Sequence, residues 1–163
     1  NRSSDLEIDR VREAGGNIIF CTPTARRFFN DDHKTIKNTH GDYPEAMKTV
    51  ARRENVPVID LTAMSTAFYE ALGEEGSKRS LVHYPANTFP GQDKPLADNT
   101  HFNPYGASEI AKMVVMGLKQ IGCPLTEHLR SDWQDFDPSQ PDDPDKFIWY
   151  MSTGSNLTKP DGN

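Results

Sequence analysis

Asp98-Asn99-Thr100-His101 places a carboxylate three residues ahead of an imidazole. Within one turn of chain the carboxylate can fold back and accept the Nδ1–H. That fixes the tautomer, aims Nε2 outward and stabilises the imidazolium formed during acyl transfer. A helix N-terminus just beyond disfavours a charged ring, so the carboxylate is what keeps such a base competent. The spacing carries little weight alone: 5 His and 15 Asp in 163 residues give about 0.5 such pairs by chance. In the other reading, Asp98 caps a turn and His101 is an ordinary loop histidine. The remaining candidates are weaker. None of Ser3, Ser4, Ser65, Ser77, Ser80, Ser108, Ser131, Ser139, Ser152 and Ser155 has the strand-turn-helix setting of an activated nucleophile. Asp135, Asp137, Asp142, Asp143 and Asp145 suggest calcium but lack the spacing and central glycine of an EF-hand loop, so they read as a solvated acidic tail. His33, His40, His83 and His128 share no ligand spacing, and no metal site is expected.

The elements that must position Asp98 and His101 are legible from periodicity. Ser4 to Glu7 is a capping-box pattern opening a helix to about Ala14, which Gly15-Gly16 ends. Asn17-Ile18-Ile19-Phe20-Cys21 and Val56-Pro57-Val58-Ile59-Asp60 are short apolar runs that read as buried parallel strands. Between them lie a polar loop over 24–41 and a helix from about Asp42, with Pro44 in its first turn and Tyr43, Met47, Val50 and Ala51 on one face. A third helix carries Leu61, Met64, Phe68 and Leu72 and ends at Gly73. After an irregular stretch to about Asn99, a fourth helix presents Ala107, Ile110, Val114, Leu118 and Ile121 and stops at Gly122. This order predicts an α/β sandwich with a parallel sheet, and places Asp98–His101 in the loop before helix four. Two strands cannot cover four amphipathic helices. Either the irregular stretch hides strands, or part of the sheet is missing.

Composition narrows the function classes. The net charge is −6, the wrong sign for a nucleic-acid backbone binder. Seven Asp and two Lys put a net −5 into residues 131–163, leaving 1–130 nearly neutral. No apolar run reaches the ~20 residues a membrane helix needs. Cys21 and Cys123 have no metal-finger spacing and can pair or stay reduced. The chain opens at Asn1 without an initiator Met or signal peptide, as expected of a mature form or fragment. Asn1-Arg2-Ser3 and Asn156-Leu157-Thr158 match the glycosylation sequon, a tripeptide common by chance. In the tail, Trp133, Phe136, Phe147, Trp149 and Tyr150 argue that parts of it dock.

The segment Asp98-Asn99-Thr100-His101-Phe102-Asn103-Pro104-Tyr105-Gly106-Ala107 resembles the last block of the SGNH (GDSL-type) hydrolases, where Asp and His complete a Ser–His–Asp triad. Thr22-Pro23 with Arg26-Arg27-Phe28, Tyr43-Pro44-Glu45-Ala46-Met47 and Val56-Pro57-Val58-Ile59-Asp60-Leu61-Thr62 are similar to its rhamnogalacturonan acetylesterase branch. The resemblance covers roughly residues 5–130 in order. It implies a three-layer α/β/α (flavodoxin-like) fold, with 1–130 the C-terminal part of an SGNH domain truncated at its N-terminus and 131–163 an acidic, Pro-containing tail. It also implies a serine esterase that deacetylates a plant cell-wall polysaccharide without metal or cofactor, secreted or periplasmic because a polymer is too large to enter most cells. Asp98 and His101 are then catalytic, and Arg26 and Arg27, following a strand end where open α/β sheets bind ligands, are candidates to contact an acidic sugar or, equally, to form a structural salt bridge or solvated loop pair. The family's Gly-Asp-Ser block and its oxyanion-hole Gly and Asn have no counterpart here. Gly41-Asp42 is followed by Tyr43, and Asn30-Asp31 lacks a preceding glycine. The chain is therefore expected to be inactive alone and to need the N-terminal half or self-association, with no nucleic-acid or membrane partner. The alternatives are a catalytically inactive half-domain and a flavodoxin-like binding module.

Overall fold

The computed structural model describes residues 2–148. Trp149, Tyr150, Asn1 and Asn156 lie outside the described residues. Helix α1 (Arg2–Glu13) starts ahead of the expected cap, so Ser4 lies inside it. It closes where the Gly16 N–H donates to Val11 O at 2.9 Å, at the predicted Gly-Gly stop.

Strands β1 (Phe20–Cys21) and β2 (Val58–Ile59) pair in parallel, Phe20 opposite Val58 and Cys21 opposite Ile59. Their side chains alternate between two apolar clusters. Ile18, Phe20 and Val58 pack with Ile8, Ala51 and Val56, whereas Ile19 and Ile59 pack with Phe68, Tyr69 and Met113. Both strands are shorter than their apolar runs, and β1 is not buried as expected: Cys21 is exposed and Ile18 to Phe20 are half-buried. Among the described residues the parallel sheet ends at two strands, each keeping an edge with no further strand paired to it.

Helix α2 (Tyr43–Arg53) has Pro44 in its first turn. Tyr43 is 62% exposed and does not join the inner face, which begins instead at Pro44 and continues through Met47 to Ala51. Helix α3 (Leu61–Gly76) is capped by Asp60, whose carboxylate accepts the Ala63 N–H at 3.1 Å. Its helical course breaks at Gly73 (φ 73°, ψ 172°), the predicted end, before one further turn and a 3-10 turn over Ser77–Ser80.

The irregular stretch contains an antiparallel hairpin, β3 (Leu81–Tyr84) and β4 (Leu96–Phe102). Asp98 to His101 therefore belong to a strand and not to a loop. Asn103 caps α4 (Pro104–Gln120), its side chain accepting the Gly106 N–H at 3.0 Å. The fully buried line of α4 runs through Tyr105, Glu109 and Met113 to Gly117, rotated from the predicted stripe; Ile110, Val114, Leu118 and Ile121 are half-buried and Ala107 is exposed. Glycine causes the rotation. A Cβ at Gly106 would meet Ser80 O at 1.9 Å, and one at Gly117 would meet the Ile59 side chain at 2.4 Å. The helix thus lies closest to the sheets along its glycines, and the larger side chains flank that line.

Residues 131–148 dock on α4 through their aromatic residues, as expected, while most of their carboxylates stay exposed. Phe136 joins the main core, and the Tyr105 hydroxyl donates to Asp142 O at 2.7 Å. Asp135 pairs with Lys119, Asp142 with Lys112, and Asp145 with Arg79. The acidic charge meets cations on the surface it covers. Among the described residues, no helix is long and apolar enough to cross a membrane, and both cysteines are free.

Candidate active site

The site is built on a bulge. From the Leu81–Phe102 pair to the His83–Ala97 pair, β3 advances two residues while β4 advances five. The excess on β4 falls on Asp98 to His101, and a bulge of this kind re-aims side chains away from the regular pleat. Asp98 closes it locally. Its Oδ1 accepts the N–H groups of Thr100 at 2.6 Å and His101 at 2.9 Å, leaving Oδ2 2.7 Å from His101 Nδ1.

The two side chains have opposite environments. Asp98 is 6% exposed and His101 61% exposed. Burial raises the Asp98 carboxyl, but the His101 N–H, the imidazole and the Thr100 N–H together outweigh it and bring its pKa down to about 2. Asp98 is thus an anion throughout the neutral range and accepts the proton on Nδ1. Nε2, on the far side of the ring, faces away from it, as a general base requires. The α4 N-terminus follows three residues later at Pro104, with Asn103 filling the cap position.

The chain leaving β1 reaches this bulge. The Arg27 N–H donates to Asn99 O at 3.1 Å, so the segment after β1 runs alongside β4. Arg26 is exposed, as is the neighbouring Phe28 (44%). Arg27 is different: it is 6% exposed, and its guanidinium donates to Ser77 Oγ at 2.8 Å, to Asn99 Oδ1 at 2.9 Å and to Glu74 O. Of the two readings of Arg27, the burial of its side chain and its three bonds inside the protein favour the structural one over contact with a sugar.

Asn99 and His83 were missed from sequence. His83 Nε2 lies 2.9 Å from Asn99 Oδ1, which Arg27 also reaches. Nothing in a lone Asn and a lone His sixteen residues apart signals this; it follows from the hairpin. Deeper in, Thr22 donates to Asp60 Oδ1 at 2.9 Å and Lys48 pairs with Asp60 Oδ2 at 2.8 Å, tying together the ends of β1 and β2. Among the described residues, no serine hydroxyl is hydrogen-bonded to His101. The buried serines are committed elsewhere: Ser65 donates to Leu61 O and Ser80 to Ser77 O, and Ser77 accepts from Arg27.

Two curated proteins of Bacillus subtilis (strain 168) are similar to this chain. The rhamnogalacturonan acetylesterase RhgT is 45% identical over 126 residues, covering 77% of this chain and 54% of that protein. The probable rhamnogalacturonan acetylesterase YesY is 38% identical over 119 residues, covering 73% of this chain and 50% of that protein. The chain spans about half the length of the curated relatives it matches. No family model and no solved structure matches it.

Proposed function

We propose, for a chain homologous to curated rhamnogalacturonan acetylesterases, that it supplies the Asp and His of a Ser–His–Asp esterase acting on acetylated rhamnogalacturonan. The observation that carries this is the 2.7 Å contact between a buried, anionic Asp98 and an exposed His101. In this reading the serine and most oxyanion-hole donors come from outside these 163 residues. His101 Nε2 takes the serine proton as the hydroxyl attacks the acetyl carbonyl. The imidazolium, held by Asp98, then returns a proton to the departing sugar oxygen. Water repeats the sequence to release acetate. The oxyanion donors contribute about 3–4 kcal/mol each. Arg26, exposed beside the bulge, contacts the acidic sugar.

The fold proposal is a three-layer α/β/α domain whose remaining strands continue from an unpaired edge of the parallel pair. Its support is the alternation of β1 and β2 between two apolar clusters, which puts helices on both faces. A polymeric substrate places the protein outside the cell or in the periplasm.

The test is acetate release from acetylated rhamnogalacturonan. The chain alone is expected to give none above background, and the chain supplied with the part of RhgT that it does not match is expected to give turnover. His101→Ala should abolish that turnover. Turnover unchanged by this substitution would sink the reading.

A further inference from the structure

We infer that Asn99 is a positioning residue: its side-chain oxygen is clamped by Arg27 and His83, and this clamp sets the attitude of the bulge that carries Asp98 and His101. The inference rests on the reading of that pair as the catalytic base.

A bulge with three residues in excess has lost its ladder partners over the segment that matters. The Asp98 bonds to Thr100 and His101 fix the shape of the turn, because all three groups lie within it. They do not fix how the turn sits on the rest of the molecule. The bonds from Asn99 do. Its carbonyl accepts from the Arg27 main chain, and its Oδ1 accepts from Arg27 Nη1 and from His83 Nε2, both at 2.9 Å. An amide oxygen has two lone pairs, so both are used, and His83 must carry its proton on Nε2.

The far ends of the clamp are rigid. His83 sits on β3, opposite Ala97. Arg27 is locked to the end of α3 through Ser77 and the Glu74 carbonyl, with the Phe29 ring 5.8 Å from its guanidinium carbon. Buried guanidinium groups ordinarily bond a carboxylate directly. Here the three acceptors are a hydroxyl, an amide oxygen and a carbonyl, which provide direction more than charge neutralisation. The fork geometry of arginine reaches all three at once, and lysine could not. The arrangement joins the β1 exit, the α3 end and the β3–β4 hairpin at the residue between Asp98 and Thr100.

The test is proton NMR on the chain complemented with the part of RhgT that it does not match, reading the downfield Nδ1–H resonance of His101, which depends on its hydrogen bond to Asp98. Asp98→Asn assigns the signal by removing it. Asn99→Ala is expected to broaden or abolish the resonance while the complemented protein still melts cooperatively. Asn99→Asp, which keeps an acceptor oxygen in place, should retain it. A merely structural Asn99 would lower the melting temperature of Asn99→Ala and leave the resonance where it was, and that result overturns the clamp. Should Asn99→Ala not fold, His83→Phe keeps a ring in β3 and removes one donor; an unchanged resonance there overturns the clamp equally. If the wild-type chain shows no such resonance, it is the Asp98–His101 pair that fails, and the clamp falls with it.

Discussion

Asp98 is where burial, charge and chemistry meet, and its protonation makes the pair visible in stability. Its folded pKa is about 2, against 3.8 when unperturbed. A depressed carboxyl contributes stability that is fully present above about pH 4 and lost as pH falls toward 2. At neutral pH that contribution is about 2 kcal/mol. Denaturant unfolding of wild type and Asp98→Asn should therefore differ by up to this amount at pH 6 and converge near pH 2. A gap that persists at low pH would mean that the lost packing of the side chain, and not its charge, sets the difference. In the complemented enzyme the same substitution should cost about 10³–10⁴ in kcat, because an amide cannot hold the required tautomer and stabilise the imidazolium. Asp98 and His101 were legible in the sequence because their interaction is local. Arg27 was not, since a side chain that leaves a strand end is solvated or buried according to what α3 offers it.

At the scale of elements, the glycines of α4 control how closely helix and sheets approach. Gly106→Ala puts a methyl 1.9 Å from Ser80 O, a backbone atom that cannot swing aside. That segment also holds Asn103, whose amide donates to Arg79 O at 2.6 Å. Gly106→Ala should destabilise the chain by about 1–3 kcal/mol or more, although alanine is the better helix former. Thermal or urea unfolding decides, and a neutral or stabilising result would show that the close approach is not there in solution. Helices α2 to α4 were legible because their apolar stripes repeat over about three turns or more, and α1 from its Gly-Gly stop. The β3–β4 hairpin was hidden because Leu81–Tyr84 is only four residues, and the alternation of Leu96–Phe102 is interrupted by the bulge. The sense of the α4 face was off for a related reason: hydrophobicity marks large side chains, whereas contact with the sheets is made where side chains are missing.

As a whole molecule, the described residues bury two apolar clusters but leave the parallel sheet at two strands, with Ile18, Ile19 and Phe20 half-covered and Cys21 exposed. Such an edge pairs with whatever strand is offered. The docked segment 131–148 is tied to α4 through Phe136, Asp135 and Asp142. The isolated chain should therefore self-associate in sedimentation experiments, and become a defined species once the remaining half is supplied. A monodisperse monomer with sharp aromatic circular dichroism and a cooperative melt would mean that the 163 residues complete their own core. The central claim is a division of labour, with the base in this chain and the nucleophile outside it. Its most direct measurement is fluorophosphonate labelling of the complemented protein, with the adduct mapped by mass spectrometry. The adduct is predicted on a serine of the complementing half, and its formation should be suppressed by His101→Ala. An adduct on any of this chain's own ten serines, formed in the chain alone, would contradict the account.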